Sequence, residues 1–255
     1  MDTVHNMDPL RDTRVAVTGG TSGLGLALVR ALHARGAQVA FVARERSRVE
    51  RVARECEGAA GVVGDVARKE DVHPIALQIL GRLGGLDVLV NNASTLGPVP
   101  LRLLADTECE DFELALATNV LGPFRLTKAL LGALAASARE RRGAVVLNVS
   151  SDAAINAYAG WGAYGASKAA LAHTSRIWQE ELAAHGVRFL SLDPGDMDTP
   201  LHALAVPDAD VASLKSPALA AREFLVAVAA ALPPRFSQAP DGCASRDALL
   251  DVPTA

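Results

Sequence analysis

Tyr164-Gly165-Ala166-Ser167-Lys168 places a phenol and an amine at a spacing that can do acid–base chemistry. Four residues apart on a helix, the two side chains share one face. An ammonium there can stabilise a phenolate and draw the phenol below its ordinary pKa of about 10. Tyr164 is then a candidate general acid or base near neutral pH. The spacing is common on its own, and a packed or solvated helix face would look the same. Its weight comes from an upstream segment.

That segment is Thr18-Gly19-Gly20-Thr21-Ser22-Gly23-Leu24-Gly25. It follows the apolar run Arg14-Val15-Ala16-Val17 and opens a periodic stretch from Leu24 to Leu32. Strand, glycine turn and helix in that order suit a pyrophosphate held at a helix N-terminus. Gly19 permits the tight turn, Gly23 lets the backbone approach phosphate, and Gly25 lets the helix pack on the strand. A flexible turn is the plain alternative, and the flanking strand and helix weigh against it.

The elements that position these segments follow from periodicity. Short β-rich runs recur near 14–18, 38–43, 60–65, 87–91, 144–149 and 187–193, with helical segments between them. The strands are unbroken apolar runs (Val145-Val146-Leu147, Val88-Leu89-Val90), as when both faces of a parallel sheet are covered. The expectation is one α/β domain over 13–232: a doubly wound parallel sheet in three α/β/α layers. Residues 1–12 read as an N-terminal tail and 233–255 as a C-terminal tail, with strand character only near 244–252.

Composition sets limits. The 255 residues suit one large domain, and half of them are apolar. A net charge of −4 gives no reason to expect nucleic acid or an acidic membrane surface as partner. Arginines at 44, 46, 48, 51 and 54 interleave with Glu45, Glu50 and Glu55, the mark of a solvated helix face. Cys56, Cys109 and Cys243 show no paired spacing, which points away from disulfides and zinc and towards a reducing, cytoplasmic setting. The start of the chain is polar and unlike a signal peptide. No apolar run approaches the ~18 residues of a membrane span. The six histidines have no ligand spacing, so no metal is expected.

Further residues fall in order: Gly64-Asp65-Val66, Asn91-Asn92-Ala93, Asn119, Ser151, Pro194-Gly195 and Thr199. With the glycine loop and the Tyr164/Lys168 pair, they make the chain resemble the short-chain dehydrogenase/reductase family in its branch of about 250 residues, from about residue 12 to about 232. The resemblance implies a Rossmann-type fold and an enzyme that interconverts carbonyl and hydroxyl groups with a nicotinamide dinucleotide.

The resemblance also assigns roles. Tyr164 would give the substrate oxygen a proton in reduction and take one in oxidation. Lys168 would lower the phenol's pKa and bind the nicotinamide ribose. Ser151, the serine thirteen residues before Tyr164, would polarise the carbonyl, and Asn119 would place a water next to Lys168. Gly19, Thr21, Ser22, Gly23, Leu24 and Gly25 would hold the pyrophosphate. Asp65 and Val66 would meet the adenine, Asn91 and Ala93 would pass the adenosine ribose, and Pro194, Gly195 and Thr199 would face the nicotinamide.

NAD-preferring relatives carry an acid at position 43. Here Ala43 is followed by Arg44, whose guanidinium suits a 2′-phosphate, so NADP is expected before NAD. The family's basic residue inside the glycine loop is absent, and Ser94 stands where a glycine is usual. Asp65 could instead cap the helix near Lys69, and Thr199 could merely begin a turn.

The resemblance makes 197–214 a substrate lid. Small, mostly apolar walls from Leu96, 152–161 and that lid suggest a small carbonyl or alcohol without strong charge. A homodimer is expected through the helices spanning 112–120 and 123–138, with a homotetramer as the alternative. Two competing readings are a catalytically silent cofactor-binding regulator or scaffold of the same fold, and an epimerase or dehydratase. The first would usually lack part of the Asn119, Ser151, Tyr164, Lys168 set, and the second needs a larger substrate domain.

Overall fold

The protein is described here by a computed structural model covering residues 8–233. Six strands alternate with helices: β1 (Arg14–Thr18), β2 (Gln38–Ala43), β3 (Ala60–Val63), β4 (Val88–Asn91), β5 (Ala144–Val149) and β6 (Val187–Leu192). All pair in parallel, in the order β3-β2-β1-β4-β5-β6. β1 sits between β2 and β4, so the winding reverses beside it. A crevice at the carboxyl ends of the strands follows from that reversal.

The helices are α1 (Gly23–Ala34), α2 (Arg46–Glu55), α3 (Lys69–Leu83), α4 (Cys109–Leu116), α5 (Gly122–Arg139), α6 (Gly162–Leu182), α7 (Pro200–Ala205) and α8 (Pro217–Ala231). Apolar faces of α1, α2 and α8 cover one side of the sheet, with Leu28, Leu32, Val52 and Phe224 in its core. On the other side α3 and α5 bring Ile75, Ile79, Leu126, Leu130 and Leu134, and α6 adds Trp178 and Leu182. The three layers and doubly wound parallel sheet expected from the sequence are present.

Details differ from the expectation. β3 ends at Val63 and β6 at Leu192, which leaves Asp65 and Asp193 in the loops beyond. Residues 8–12 do not hang free: Leu10 is fully buried, and Asp8 pairs with Arg35 at 2.8 Å. The strand suggested near 244–252 lies outside the described residues.

At the amino edge of the sheet, Asp87 is fully buried and gathers charge from three segments. Arg14 gives it a backbone N–H at 2.9 Å and two guanidinium bonds at 3.1 and 2.6 Å. Arg142 donates at 3.2 and 3.0 Å, and the Ser137 hydroxyl at 2.6 Å. These bonds pin the starts of β1, β4 and β5 together. Burial alone would raise the carboxyl's pKa, but the bonds from Arg14, Arg142 and Ser137 outweigh it and hold the group lower than usual. Its contribution is therefore complete at neutral pH and is lost as pH falls through the folded-state pKa.

Asp87→Asn leaves two guanidinium groups short of a counter-charge. It is expected to cost about 3–5 kcal/mol in denaturant unfolding at pH 7. A loss below about 1 kcal/mol would show the network to be dispensable.

Candidate active site

A cleft of about 460 Å³ runs along the carboxyl edge of the sheet. At one end stands the turn between β1 and α1, where Gly19 and Gly23 have φ of +69° and +49°. A Cβ on Gly19 would stand 2.9 Å from the Asn92 amide nitrogen, and one on Gly25 would collide with the Gly19 carbonyl. The backbone is thus bared by necessity, because this loop packs on the segment after β4. The Thr18 hydroxyl accepts from the N–H groups of Asn92 and Ala93 at 2.9 and 3.0 Å. In return the Asn92 amide donates to the Thr18 carbonyl at 2.9 Å. Thr18 and Asn92 were quoted in the sequence motifs, but their joint clasp needs the β1–β4 pairing to be seen.

Thr21, Ser22, Gly23 and Leu24 line this part of the cleft, with Ala43, Arg44, Asp65 and Val66 farther along. Arg44 is exposed, and Ala43 leaves that wall without a carboxylate. Two residues read from sequence as part of a solvated helix face also line the cleft: Arg48, held by an ion pair with Glu45, and Glu45 itself, which accepts from Ser47 at 2.7 Å. Asp65 accepts from the Ala67 N–H at 2.9 Å and forms a turn, while Arg68 stands immediately before α3 without a side-chain capping bond. Thr199 lines the cleft and caps α7 by accepting from the His202 N–H at 3.2 Å.

At the other end α6 presents Tyr164 and Lys168. Lys168 is 2 % exposed, and its ammonium donates to the Val149 carbonyl at 2.8 Å and stands 5.4 Å from the Tyr164 ring centroid. Burial lowers its pKa to about 8, against the opposing pull of the Asp193 carboxylate. Tyr164 departs from the sequence expectation of a depressed pKa: it is pushed up to about 12, chiefly by burial. The hydroxyls of Ser151 and Ser94 work against that rise, while Asp193 and Asp152 add to it. The lysine cannot offset burial because it is directed at a carbonyl and is itself penalised by desolvation.

Ser151 follows β5 and lowers the Tyr164 phenol's pKa against the effect of burial, while its neighbour Ser150 lines the cleft. Ser151 donates to Asp152 at 3.0 Å. Asp152 accepts from the Tyr158 hydroxyl at 2.7 Å too, and that bond holds its carboxyl below the usual range. The surroundings of the tyrosines are therefore less neutral than the sequence suggested: Asp152 acts on both, Asp193 on Tyr164 and Asp196 on Tyr158.

Asn119 is buried in a wide turn, 117–121, that breaks the run from α4 to α5. Its amide donates to the Thr95 carbonyl at 2.8 Å and to Ser167 at 2.9 Å. Its oxygen accepts from the Thr95 N–H at 2.9 Å and from Ser94 at 3.1 Å. Asn119 thus sits behind the wall and fixes it. Asn91 also lies beneath the surface: its amide donates to Asn148 at 2.8 Å, tying β4 to β5, and Ala93 lines the cleft in its place. Pro194 lines the cleft, and Gly195 beside it has φ of +72°.

The glycine-walled turn at a helix start and the Tyr164/Lys168 pair share one cleft at the carboxyl edge of the parallel sheet. The sequence matches the short chain dehydrogenase family over residues 13–210, and the chain belongs to that family.

Among similar proteins is an L-fucose dehydrogenase of Mus musculus, 33 % identical over 187 residues, which are 73 % of this chain and 66 % of that one. The chain thus spans about two thirds of the mouse protein's length. An L-xylulose reductase of Bos taurus is 31 % identical over 201 residues, 78 % of each chain. Among solved structures, an alcohol dehydrogenase from Thermococcus sibiricus complexed with 5-hydroxy-NADP superposes with a TM-score of 0.75. It is 28 % identical, and the match covers 85 % of this chain and 90 % of that one. A 3-ketoacyl-(acyl-carrier-protein) reductase from Brucella melitensis complexed with NADH gives 0.78 at 27 % identity, covering 85 % and 91 %.

The two glycine environments give a paired test. Gly25→Ala forces its Cβ against the Gly19 carbonyl and is expected to cost about 1–3 kcal/mol. Gly132→Ala, in open space on α5, is expected to stabilise by about 0.5–1 kcal/mol. Thermal melts of both variants check the contrast.

Proposed function

We propose that this protein is an NADP-dependent oxidoreductase that interconverts a carbonyl and a hydroxyl on a small organic substrate, with Tyr164 as general acid and base. The observation that carries the reading is the single cleft joining the bare glycine turn to the Tyr164/Lys168 pair. The chain fits the dinucleotide. Gly19, Thr21, Ser22, Gly23, Leu24 and Gly25 form a cradle that a Cβ would fill, and a helix N-terminus beyond it favours phosphate. Asp65, Val66 and the Asn91–Ala93 segment would flank the adenosine, while Pro194, Gly195 and Thr199 would flank the nicotinamide. When bound, NADP supplies or takes up the hydride.

The remaining work falls to side chains. Tyr164, neutral up to about pH 12 by its own environment, holds the proton that a reduced carbonyl oxygen needs. Ser151 donates where negative charge develops. Lys168 carries the positive charge that favours the phenolate left behind, and Asn119 fixes the wall between them. Ala43 and Arg44, with Arg48 alongside, favour a 2′-phosphate and so NADP over NAD. The carboxylates of Asp152 and Asp196 and the Tyr158 hydroxyl suit a carbonyl compound bearing several hydroxyls. The names of the fucose and xylulose enzymes support that class.

We further propose a homodimer through α4, α5 and the wide turn between them, where Leu114, Leu121 and Phe124 are exposed. A cytoplasmic setting accords with free Cys56 and Cys109.

Fluorescence titration with NADPH and NADH tests the cofactor. NADPH is expected to bind more tightly, and Arg44→Ala to weaken NADPH by about tenfold while leaving NADH within about twofold. Equal affinity for both in the native protein would overturn the assignment.

Tyr164→Phe is expected to lower NADPH-linked reduction of L-xylulose, or NADP-linked oxidation of L-fucose, by at least ~100-fold with cofactor affinity retained. Activity surviving that change would remove Tyr164 from its role. Because Lys168 loses its charge as pH rises through about 8, reduction is expected to be level below that pH and to fall above it. Initial rates between pH 6 and 10 read this out.

A further inference from the structure

The turn after β5 carries a chain of hydrogen bonds that starts at Ser151. Its hydroxyl donates to Asp152 Oδ1 at 3.0 Å, and the Ala153 N–H donates to the same oxygen at 2.7 Å. Asp152 Oδ2 accepts from the Tyr158 hydroxyl at 2.7 Å. An ionised carboxylate accepts about four hydrogen bonds and donates none. With these three donors in place, Oδ2 keeps a second lone pair. When Ser151 turns its hydrogen to a substrate carbonyl, Oδ1 regains one as well. Tyr158, its proton given to Asp152, likewise presents lone pairs. A ligand meeting these oxygens must bring donors.

The turn lies beside the proposed proton donor. Ala153, the neighbour of Asp152, shares a buried apolar cluster with Tyr164 and Leu96, and Trp161, Leu201 and Ala205 pack against it. A Cβ on Gly165 would stand 3.2 Å from the Ala153 carbonyl, so the turn rests on the start of α6. Asp152 and Tyr158 therefore set acceptors at the rim of a largely apolar group. Spacing decides which substrate atom they meet. Ser151 Oγ and Asp152 Oδ1 are about as far apart as two oxygens on neighbouring carbons. With a carbonyl oxygen on Ser151, the carboxylate meets a group one carbon away.

We propose that Asp152 is a specificity-determining residue: it accepts a hydrogen bond from a hydroxyl on the carbon next to the reacting carbonyl, and so selects α-hydroxy carbonyl compounds. This rests on the carbonyl chemistry and the Ser151 role proposed above and narrows their substrate class. Asp152 takes part in no bond change; it binds and orients.

The test compares two ketones of equal heavy-atom count that differ by a hydroxyl in place of a methyl: 1-hydroxypropan-2-one and butan-2-one. Initial rates are read with full-length protein and saturating NADPH, or NADH if that binds more tightly. The native protein is expected to favour the hydroxy ketone in kcat/KM by about tenfold or more. Asp152→Ala is expected to bring that ratio to within about threefold of one. Asp152→Asn, close in shape and still holding one acceptor oxygen, is expected to lower it at least about threefold. A merely structural defect slows both ketones alike and leaves the ratio where it was.

A native ratio near one overturns the proposal. So does a ratio unchanged in Asp152→Ala, or in Asp152→Asn if the alanine variant does not fold. A higher native kcat/KM for 1-aminopropan-2-one than for the hydroxy ketone overturns it too, since Asp152 would then read charge. Tyr164→Phe separates the two levels. If the native protein reduces butan-2-one, Tyr164→Phe does not, and the native ratio is near one, only the role of Asp152 falls. If Tyr164→Phe stays active, or the native protein reduces none of the three ketones with either nucleotide, the reading beneath falls with it.

Discussion

The candidate site depends on one buried carboxamide. Asn119 has its four bonds to three residues in two separate pieces of chain: Ser94 and Thr95 after β4, and Ser167 on α6. A regular helix would bury this side chain elsewhere; the wide turn at 117–121 is what aims it at the wall. Ser167 also donates to the Tyr164 carbonyl at 2.7 Å, so the amide reaches the helix that carries the phenol. Left unpaired in that position, the amide would cost about 1–3 kcal/mol, which makes its satisfaction a condition of the local fold.

The two edges of the sheet handle polarity differently. At the amino edge, Asp87 collects donors until its charge is neutralised, and the result is a fixed joint. At the carboxyl edge, Lys168 is buried with one carbonyl for a partner, and Tyr164 is buried among carboxylates that oppose its ionisation. Both faces of the sheet are apolar, so this edge is where titratable groups can meet solvent and ligand. The first arrangement suppresses a change of protonation. The second drives the two groups' pKa values apart, to about 12 for Tyr164 and about 8 for Lys168, because burial disfavours the charged form of each.

Much of this was legible in the sequence. Unbroken runs such as Val145-Val146-Leu147 gave away the strands, because a strand covered on both faces has no polar alternation to confuse it. The glycine loop and the Tyr164/Lys168 pair were legible because their spacing is local. What was illegible is non-local or a matter of balance. The Thr18–Asn92 clasp joins residues 74 apart, and nothing in either segment names the other. Tyr164 was expected to be acidified by Lys168, but spacing places the amine without saying where it points, and burial decided the outcome. The acidic mouth was missed for a similar reason. Asp152 and Asp196 lie far apart in sequence, and only the fold brings both to Tyr158.

Both ends of the described chain lie on the side of the molecule away from the cleft. Asp12 bonds the Gly36 carbonyl ahead of β2, and a Cβ on Gly143, just before β5, would touch Pro233. A support or reporter coupled at Asp8 or at Pro233 would therefore stand behind the sheet. The protein could be tethered there with its opening turned outward, towards the bulk phase.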